Sequence, residues 1–348
     1  MSSSSRTSVA HGRQAVAIWL YAVAALVFLM IFVGGVTRLT ESGLSMVEWK
    51  PVTGWLPPLS ADAWQAEFDK YKTFPEYQKV NRGMTLGEFQ TIYAWEFGHR
   101  LLGRIIGLAF FVPMAFFMLT GRIRGRETFW FLFLLIAGGS QGALGWYMVK
   151  SGLVDDPDVS QYRLAAHLGL AFLIFGLLWL TAMKVRGEGR PRPSVEAGLR
   201  SPALVVVALI FLQIVIGAFV AGTNAGFTIN TWPTMDGDLI PAGLFTMQPW
   251  WLALFEDVVT IQFMHRMTAY LIIIAAVWMF IRARRVGARR PATMVLHLVG
   301  VQVILGIATL LAVVPVWLGA LHQATAVAVW AASLSVLAAA WQGTVEKR

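Results

Sequence analysis

The chain has no cysteine in its 348 residues. Disulfides, thiolate-held metal clusters and cysteine nucleophiles are therefore excluded. Charge is scarce as well: 14% of residues are charged and 57% are hydrophobic. A soluble domain does not carry that balance, so an all-α, multi-pass membrane protein is expected. The first fifteen residues are Ser-rich and weakly basic, with no small-residue cleavage site behind a short apolar core. They read as a disordered cytoplasmic tail rather than a secretory leader.

What is present is apolar length. Eight runs are long enough to cross about 30 Å of hydrocarbon as helices. They lie at about 14–36, 97–119, 128–149, 162–183, 203–222, 260–281, 293–314 and 318–341. The 15 Trp and 22 Phe suit packed helices with aromatic interface belts, for which Tyr93, Trp95 and Tyr162 are candidates. Linkers alternate in charge. Arg122, Arg124 and Arg126 follow the second run, Lys184 to Arg200 the fourth, and Arg282, Arg284, Arg285, Arg289 and Arg290 the sixth. Asp155, Asp156, Asp158, Asp236, Asp238, Glu256 and Asp257 fall in the opposite loops. The positive-inside rule then puts both termini in the cytoplasm. The net charge of +9 is explained by topology, and nucleic acid is not an expected partner.

Two outer segments are long, about 37–95 and 223–259. Gly and Pro at turn positions, with Trp for packing, make them ordered caps rather than loose linkers. The stretch from Ala61 to Tyr71 is amphipathic and suited to lie along the outer surface.

The two halves resemble each other. Gly34 to Thr40 matches Gly217 to Thr223, and Phe97-Gly-His-Arg100 matches Phe263-Met-His-Arg266. Gln141-Gly-Ala-Leu-Gly145 matches Gln302-Val-Ile-Leu-Gly306, and His167 opens its run as His322 does. Four spans per unit make a parallel repeat, related by a pseudo-twofold axis along the membrane normal. The expected domains are two four-helix bundles, 1–200 and 201–348.

Four of the six histidines, His99, His167, His265 and His322, fall in the outer turns of the even-numbered spans. Two imidazoles facing each other across a bundle suit heme iron, whose porphyrin fills the apolar interior. Zinc asks for a tighter ligand cluster, and copper for Cys or a Met-rich motif. One lone histidine would be read as structural; four at matched depth in a repeat favour ligation. His297 has no counterpart and reads as packing; His11 lies in the tail. Arg100 and Arg266 follow candidate ligands directly, where they can serve heme propionates or reach lipid headgroups. Arg104 lies deeper in the apolar run and needs a partner there.

Glu96 breaks the repeat, because the matching residue is Gln262, which cannot ionise. A division of labour follows, with a reaction site in the first half, where Glu96 is the catalytic candidate, and an electron-transfer site in the second. The bland alternative is that Glu96 caps its helix or pairs with an arginine.

These residues resemble the heme A synthase family. The match is carried by Thr40-Glu-Ser-Gly-Leu-Ser-Met46, Trp49-Lys-Pro-Val-Thr-Gly54, Pro57-Pro58, Glu96-Phe-Gly-His99-Arg100 and His167. It continues through Asn230-Thr-Trp-Pro-Thr-Met-Asp-Gly237, His265-Arg266 and Leu321-His322-Gln323, covering residues 15 to 341. The cysteine-free outer loops are those of the proteobacterial and mitochondrial-type branch. The resemblance implies a membrane heme-dependent oxidoreductase that converts a methyl of heme O to the formyl of heme A by successive hydroxylations, for cytochrome oxidase assembly. It implies that His265 and His322 hold a resident heme b as cofactor, that His99 and His167 bracket the substrate heme, and that Glu96 sits beside the methyl. It also implies a bacterial inner-membrane location, heme sites toward the periplasm, and heme O synthase and oxidase assembly factors as partners. The rival class is a di-heme transmembrane cytochrome b carrying electrons from quinol. It accounts for four histidines but not for Glu96 in one half only. A transporter explains the repeat but not the paired histidines.

Overall fold

The computed structural model describes residues 3–50, 53–152, 159–188, 197–285 and 288–342. Pro51 and Val52, the acidic group Asp155, Asp156 and Asp158, and most of the basic linker before Arg200 lie outside the described residues, as does the side chain of His11.

Eleven α-helices follow in chain order among those residues: α1 (Ser3–Leu39), α2 (Ala61–Lys72), α3 (Pro75–Lys79), α4 (Leu86–Leu119), α5 (Arg126–Gly152), α6 (Gln161–Gly187), α7 (Arg200–Gly222), α8 (Ala253–Glu256), α9 (Val258–Arg285), α10 (Arg289–Leu311) and α11 (Val316–Gln342). Apart from one isolated bridge, Met235 with Asp238, no β-pairing occurs among the described residues. Eight of the helices are long and apolar enough to cross a membrane. The protein is thus an all-helical, multi-pass membrane protein.

Two helix starts differ from the sequence reading. The backbone is helical from Ser3, where a tail is expected. Extending a helix that already exists costs far less than nucleating one, and Ser, Arg and Ala do not stop it. The second spanning helix begins at Leu86 rather than 97. Thr85 accepts from the Glu88 backbone N–H while Glu88 bonds back to the Thr85 N–H, a capping box that fixes the earlier start. His99 and Glu96 therefore lie well inside α4, not in its first turn.

The added turns of α4 carry the first cap. Phe89 is fully buried beneath α2, with ring centroids 5.0 Å from Phe68 and 5.1 Å from Tyr71. Tyr93 packs on Trp64 at 5.1 Å, so it is a cap residue and not part of a lipid-facing belt. The amphipathic stretch is indeed a helix, α2, with its apolar side on α4.

Packing is orderly. Both α4 and α6 pack on α1 and on α5, and they share no packing seam with each other. Likewise α9 and α11 both pack on α7 and α10. The α9–α10 and α10–α11 contacts complete that second group. Between the groups, α6 meets α7 and α11, and α1 meets α11. Half of the apolar window of α6 and of α11 is buried, against 11% for α5 and α10. The former pair is therefore interior and the latter faces outward. Trp330 Nε1 donates to the Phe172 carbonyl at 2.9 Å, and Gln323 Nε2 to the Ile31 carbonyl at 2.6 Å, tying α11 to α6 and α1. At the end of α1 remote from the caps, Arg13 pairs with Glu127 and Glu188 at 2.7 and 2.5 Å.

Candidate functional site

The four histidines sit on α4, α6, α9 and α11, the diagonal partners within each group of four helices. Each ring rests on a glycine of a neighbouring helix. A Cβ placed on Gly34 would lie 3.0 Å from Cε1 of His99, and one on Gly145 3.0 Å from Cε1 of His167. The same holds for Gly217 against His265, at 3.2 Å, and for Gly306 against His322, at 3.0 Å. A side chain there would force each ring to shift by a few tenths of an ångström, so glycine is what lets the imidazoles settle this closely against the helices α1, α5, α7 and α10.

Three of the rings are held a second time. Gln141 Nε2 donates to the His167 carbonyl at 3.0 Å and lies 3.3 Å from its Nδ1. Gln213 Nε2 donates to the His265 carbonyl at 3.0 Å and lies 3.2 Å from the other ring nitrogen, Nε2. Gln302 Nε2 donates to the His322 carbonyl at 3.0 Å and lies 3.3 Å from its Nε2. Each glutamine stands four residues before the glycine that cradles the ring, hence on the same helix face. The sequence displays this Gln-x3-Gly spacing, but only as a mark of internal similarity. That these glutamines and glycines are the supports of the histidines is visible only in three dimensions.

Nδ1 of His99, His265 and His322 is buried without a hydrogen-bond partner. An unpaired buried polar atom costs about 1–3 kcal/mol, and such nitrogens are open to a ligand. Among the described residues no three His, Asp or Glu groups gather as a bare metal site. Imidazoles in pairs, recessed on glycine and set on diagonal helices of an apolar bundle, do fit a porphyrin iron.

Above the histidines lie two clasps. Glu96 is 3% exposed, and its Oε2 accepts from Ser45 Oγ at 2.7 Å and from the Met46 backbone N–H at 2.6 Å. Its Oε1 pairs with Arg100. Arg100 also donates to the carbonyls of Met46 and Glu48, each at 2.9 Å, and stands over the Trp49 ring. In the other half, Gln262 Nε2 donates to the carbonyls of Ala225 and Ile229, both at 3.0 Å. Arg266 donates to the carbonyls of Thr231, Thr234 and Ile229 at 2.9, 3.2 and 3.2 Å. Glu96, Arg100, Gln262 and Arg266 thus fasten the two caps to the helices that bear His99 and His265. Arg104 belongs to the first clasp, donating to the Lys50 carbonyl at 2.8 Å beside Trp55.

The first cap also buries an acid that sequence reading passes over. Glu76 is 6% exposed, with Oε2 unpartnered. Burial pushes its carboxyl up to about 8, a bond from Tyr71 works against that, and the charges of Glu96 and Glu41 add to the rise. His297 bonds only along its own helix, to the Thr293 carbonyl at 2.9 Å.

Residues 17–334 match the COX15-CtaA family, cytochrome oxidase assembly protein. The heme A synthase of Parvibaculum lavamentivorans is 54% identical over 321 residues, 91% of this chain and 93% of the relative. That of Azorhizobium caulinodans is 51% identical over 329 residues, 93% and 94% of the two chains. That of Nitrosospira multiformis is 47% identical over 328 residues, 92% of each. The chain belongs to the heme A synthase family. Membership spans both histidine pairs and both caps, since each lies within the matched residues. The clasps, cradles and glutamine supports therefore lie within the part of the chain that matches the family.

Proposed function

We propose that this chain oxidises the methyl substituent of heme O to the formyl group of heme A, supplying cytochrome oxidase. The reaction half is the bundle of α1, α4, α5 and α6, within residues 1–200, and the resident half is the bundle of α7, α9, α10 and α11, within 201–348. The two are parallel repeats about an axis along the membrane normal, with both termini cytoplasmic. The membrane is the bacterial inner membrane, and the histidine sites face the periplasm.

The observation that carries this reading is the fourfold cradle, His99 on Gly34, His167 on Gly145, His265 on Gly217 and His322 on Gly306. Its two diagonal pairs give one place for a substrate heme, between His99 and His167, and one for a resident heme b, between His265 and His322. When bound, the resident heme supplies one-electron transfer to and from the reaction half. The protein's own part is positional. The glycines let the imidazoles seat, the glutamines fix their orientation, and the clasps of Glu96–Arg100 and Gln262–Arg266 close the caps above them. A closed cap excludes water from a site where a reactive carbon is handled. Each hydroxylation is a two-electron oxidation that takes one oxygen atom from outside the protein and passes electrons to an external acceptor; the diol formed by the second loses water to leave the aldehyde.

Glu96 is the functional carboxylate of the first half. Its charge holds Ser45, Met46 and Arg100 in place one helical turn from His99. Heme O synthase, as the source of substrate, and oxidase assembly factors, as recipients of product, are the proposed partners.

Pigment analysis of the purified full-length protein tests this. Two hemes are expected, one held through washing with a heme acceptor and one exchanged. Heme b held tightly at both sites would favour an electron-carrying di-heme cytochrome instead.

A further inference from the structure

Three histidines have a glutamine support and the fourth does not. Met30 stands four residues before Gly34, the position that Gln141, Gln213 and Gln302 occupy before their glycines. A thioether donates no hydrogen bond. Nothing on α1 therefore grips the carbonyl or ring of His99, and its Nδ1 is buried without a partner. Met30 reaches toward α4 below the histidine instead. Its Cε lies 3.4 Å from where a Cβ on Gly103 would be.

This difference is local and chemical. The cradle is unchanged, since Gly34 approaches His99 as closely as Gly145 approaches His167. What is missing is the amide that fixes the ring. Outer partners of a ligating histidine restrict its orientation, and losing one costs about 10–100-fold in metal affinity. The distribution also matches what the two halves require. Both histidines of the resident half are supported, and one of the two in the reaction half is not.

We propose that His99 is the yielding ligand of the four, and that Met30 makes it so. His167 retains the substrate heme while the bond from His99 opens for exchange; His265 and His322 both stay on. Gln141, Gln213 and Gln302 are positioning residues, each acting through the histidine it supports. The inference rests on the heme-bearing halves proposed above and deepens them.

The test uses the full-length protein in lipid nanodiscs, loaded with ferric protoporphyrin IX. Electron paramagnetic resonance reads the low-spin and high-spin fractions, and excess apomyoglobin reads the rate at which heme leaves. Wild type is expected to release heme in a fast phase and a slow phase. Met30→Gln should slow the fast phase about tenfold and convert high-spin signal to low-spin, leaving the slow phase alone. Gln213→Met, which gives His265 the surroundings of His99, should speed the slow phase by a similar factor. A Met30→Gln protein that binds two hemes yet keeps the wild-type fast phase and spin state overturns the proposal. If that variant does not accumulate, an unchanged slow phase in Gln213→Met overturns it. The underlying reading fails differently: His99→Ala and His167→Ala spectra identical to wild type would mean the first half holds no heme, and the proposal falls with it.

Discussion

Glu96 and Gln262 stand three residues before a histidine in their respective helices, and they make opposite hydrogen bonds. Glu96 receives the hydroxyl of Ser45 and the N–H of Met46. Gln262 gives its amide hydrogens to the carbonyls of Ala225 and Ile229. The difference between the two side chains is thus matched by the cap each one faces: donors in the first half, acceptors in the second.

Exchange at either place should therefore fail. Glu96→Gln leaves the buried Arg100 without its counter-charge and weakens the hold on Ser45 and Met46. A loss of about 1–3 kcal/mol is expected. Heme content should survive while heme A output falls at least tenfold. Normal output from this variant would remove Glu96 from the functional account. Gln262→Glu would set a carboxylate against two carbonyl oxygens, and the thermal midpoint should drop.

The cradles predict a position-specific response to one methyl group. Gly→Ala in a helix ordinarily stabilises by about 1 kcal/mol. Gly142→Ala and Gly300→Ala meet nothing within 4 Å, so they should be neutral or stabilising. Gly145→Ala and Gly306→Ala, on the same helices, would press on His167 and His322. Those two should lose bound heme, measured by absorbance per protein. Equal heme content in all four variants would mean that the rings need no cradle.

Removal of the histidines should separate the halves. His265→Ala and His322→Ala are expected to purify without the tightly held heme. His99→Ala should keep that heme and lose turnover. Equal heme loss from every variant would contradict the division into a resident and a reaction half.

Glu76 gives a pH dependence in the first cap. Its folded-state carboxyl is raised to about 8, so between the ordinary carboxylate range and pH 8 the folded protein holds a proton that the unfolded chain releases. Stability from this group is complete at low pH and declines as pH rises through that window. Glu41 and Glu96 share the cap, and their charges raise the carboxyl further and so widen this window. Glu76→Gln should raise the thermal midpoint at pH 8 and change it little at pH 5. The same shift at both values would show that the proton is not responsible.

Much of this was legible in the sequence, for a physical reason. Spanning helices must be continuous apolar runs, so all eight are visible as composition. Histidines in apolar runs are rare enough to single out His99, His167, His265 and His322. Helix starts were less legible, because Thr85 and Glu88 lie in a polar stretch and define α4 by capping rather than by hydrophobicity. The supports were not legible either. Gly34 or Gln213 looks like any small or polar residue in a membrane helix until the ring it touches is placed. The pairing of Glu96 with an arginine was legible, but the cap carbonyls that Arg100 and Arg266 also bind carry no sequence mark.

The central claim is that the chain converts heme O to heme A. Chromatography of hemes extracted from a host that makes heme O, with and without this chain, tests it most directly. Formyl-bearing heme A should appear only when the chain is present, and should vanish with His99→Ala while the chain still accumulates in the membrane. Heme O alone in both extracts, from membranes that contain the folded protein, would contradict the account.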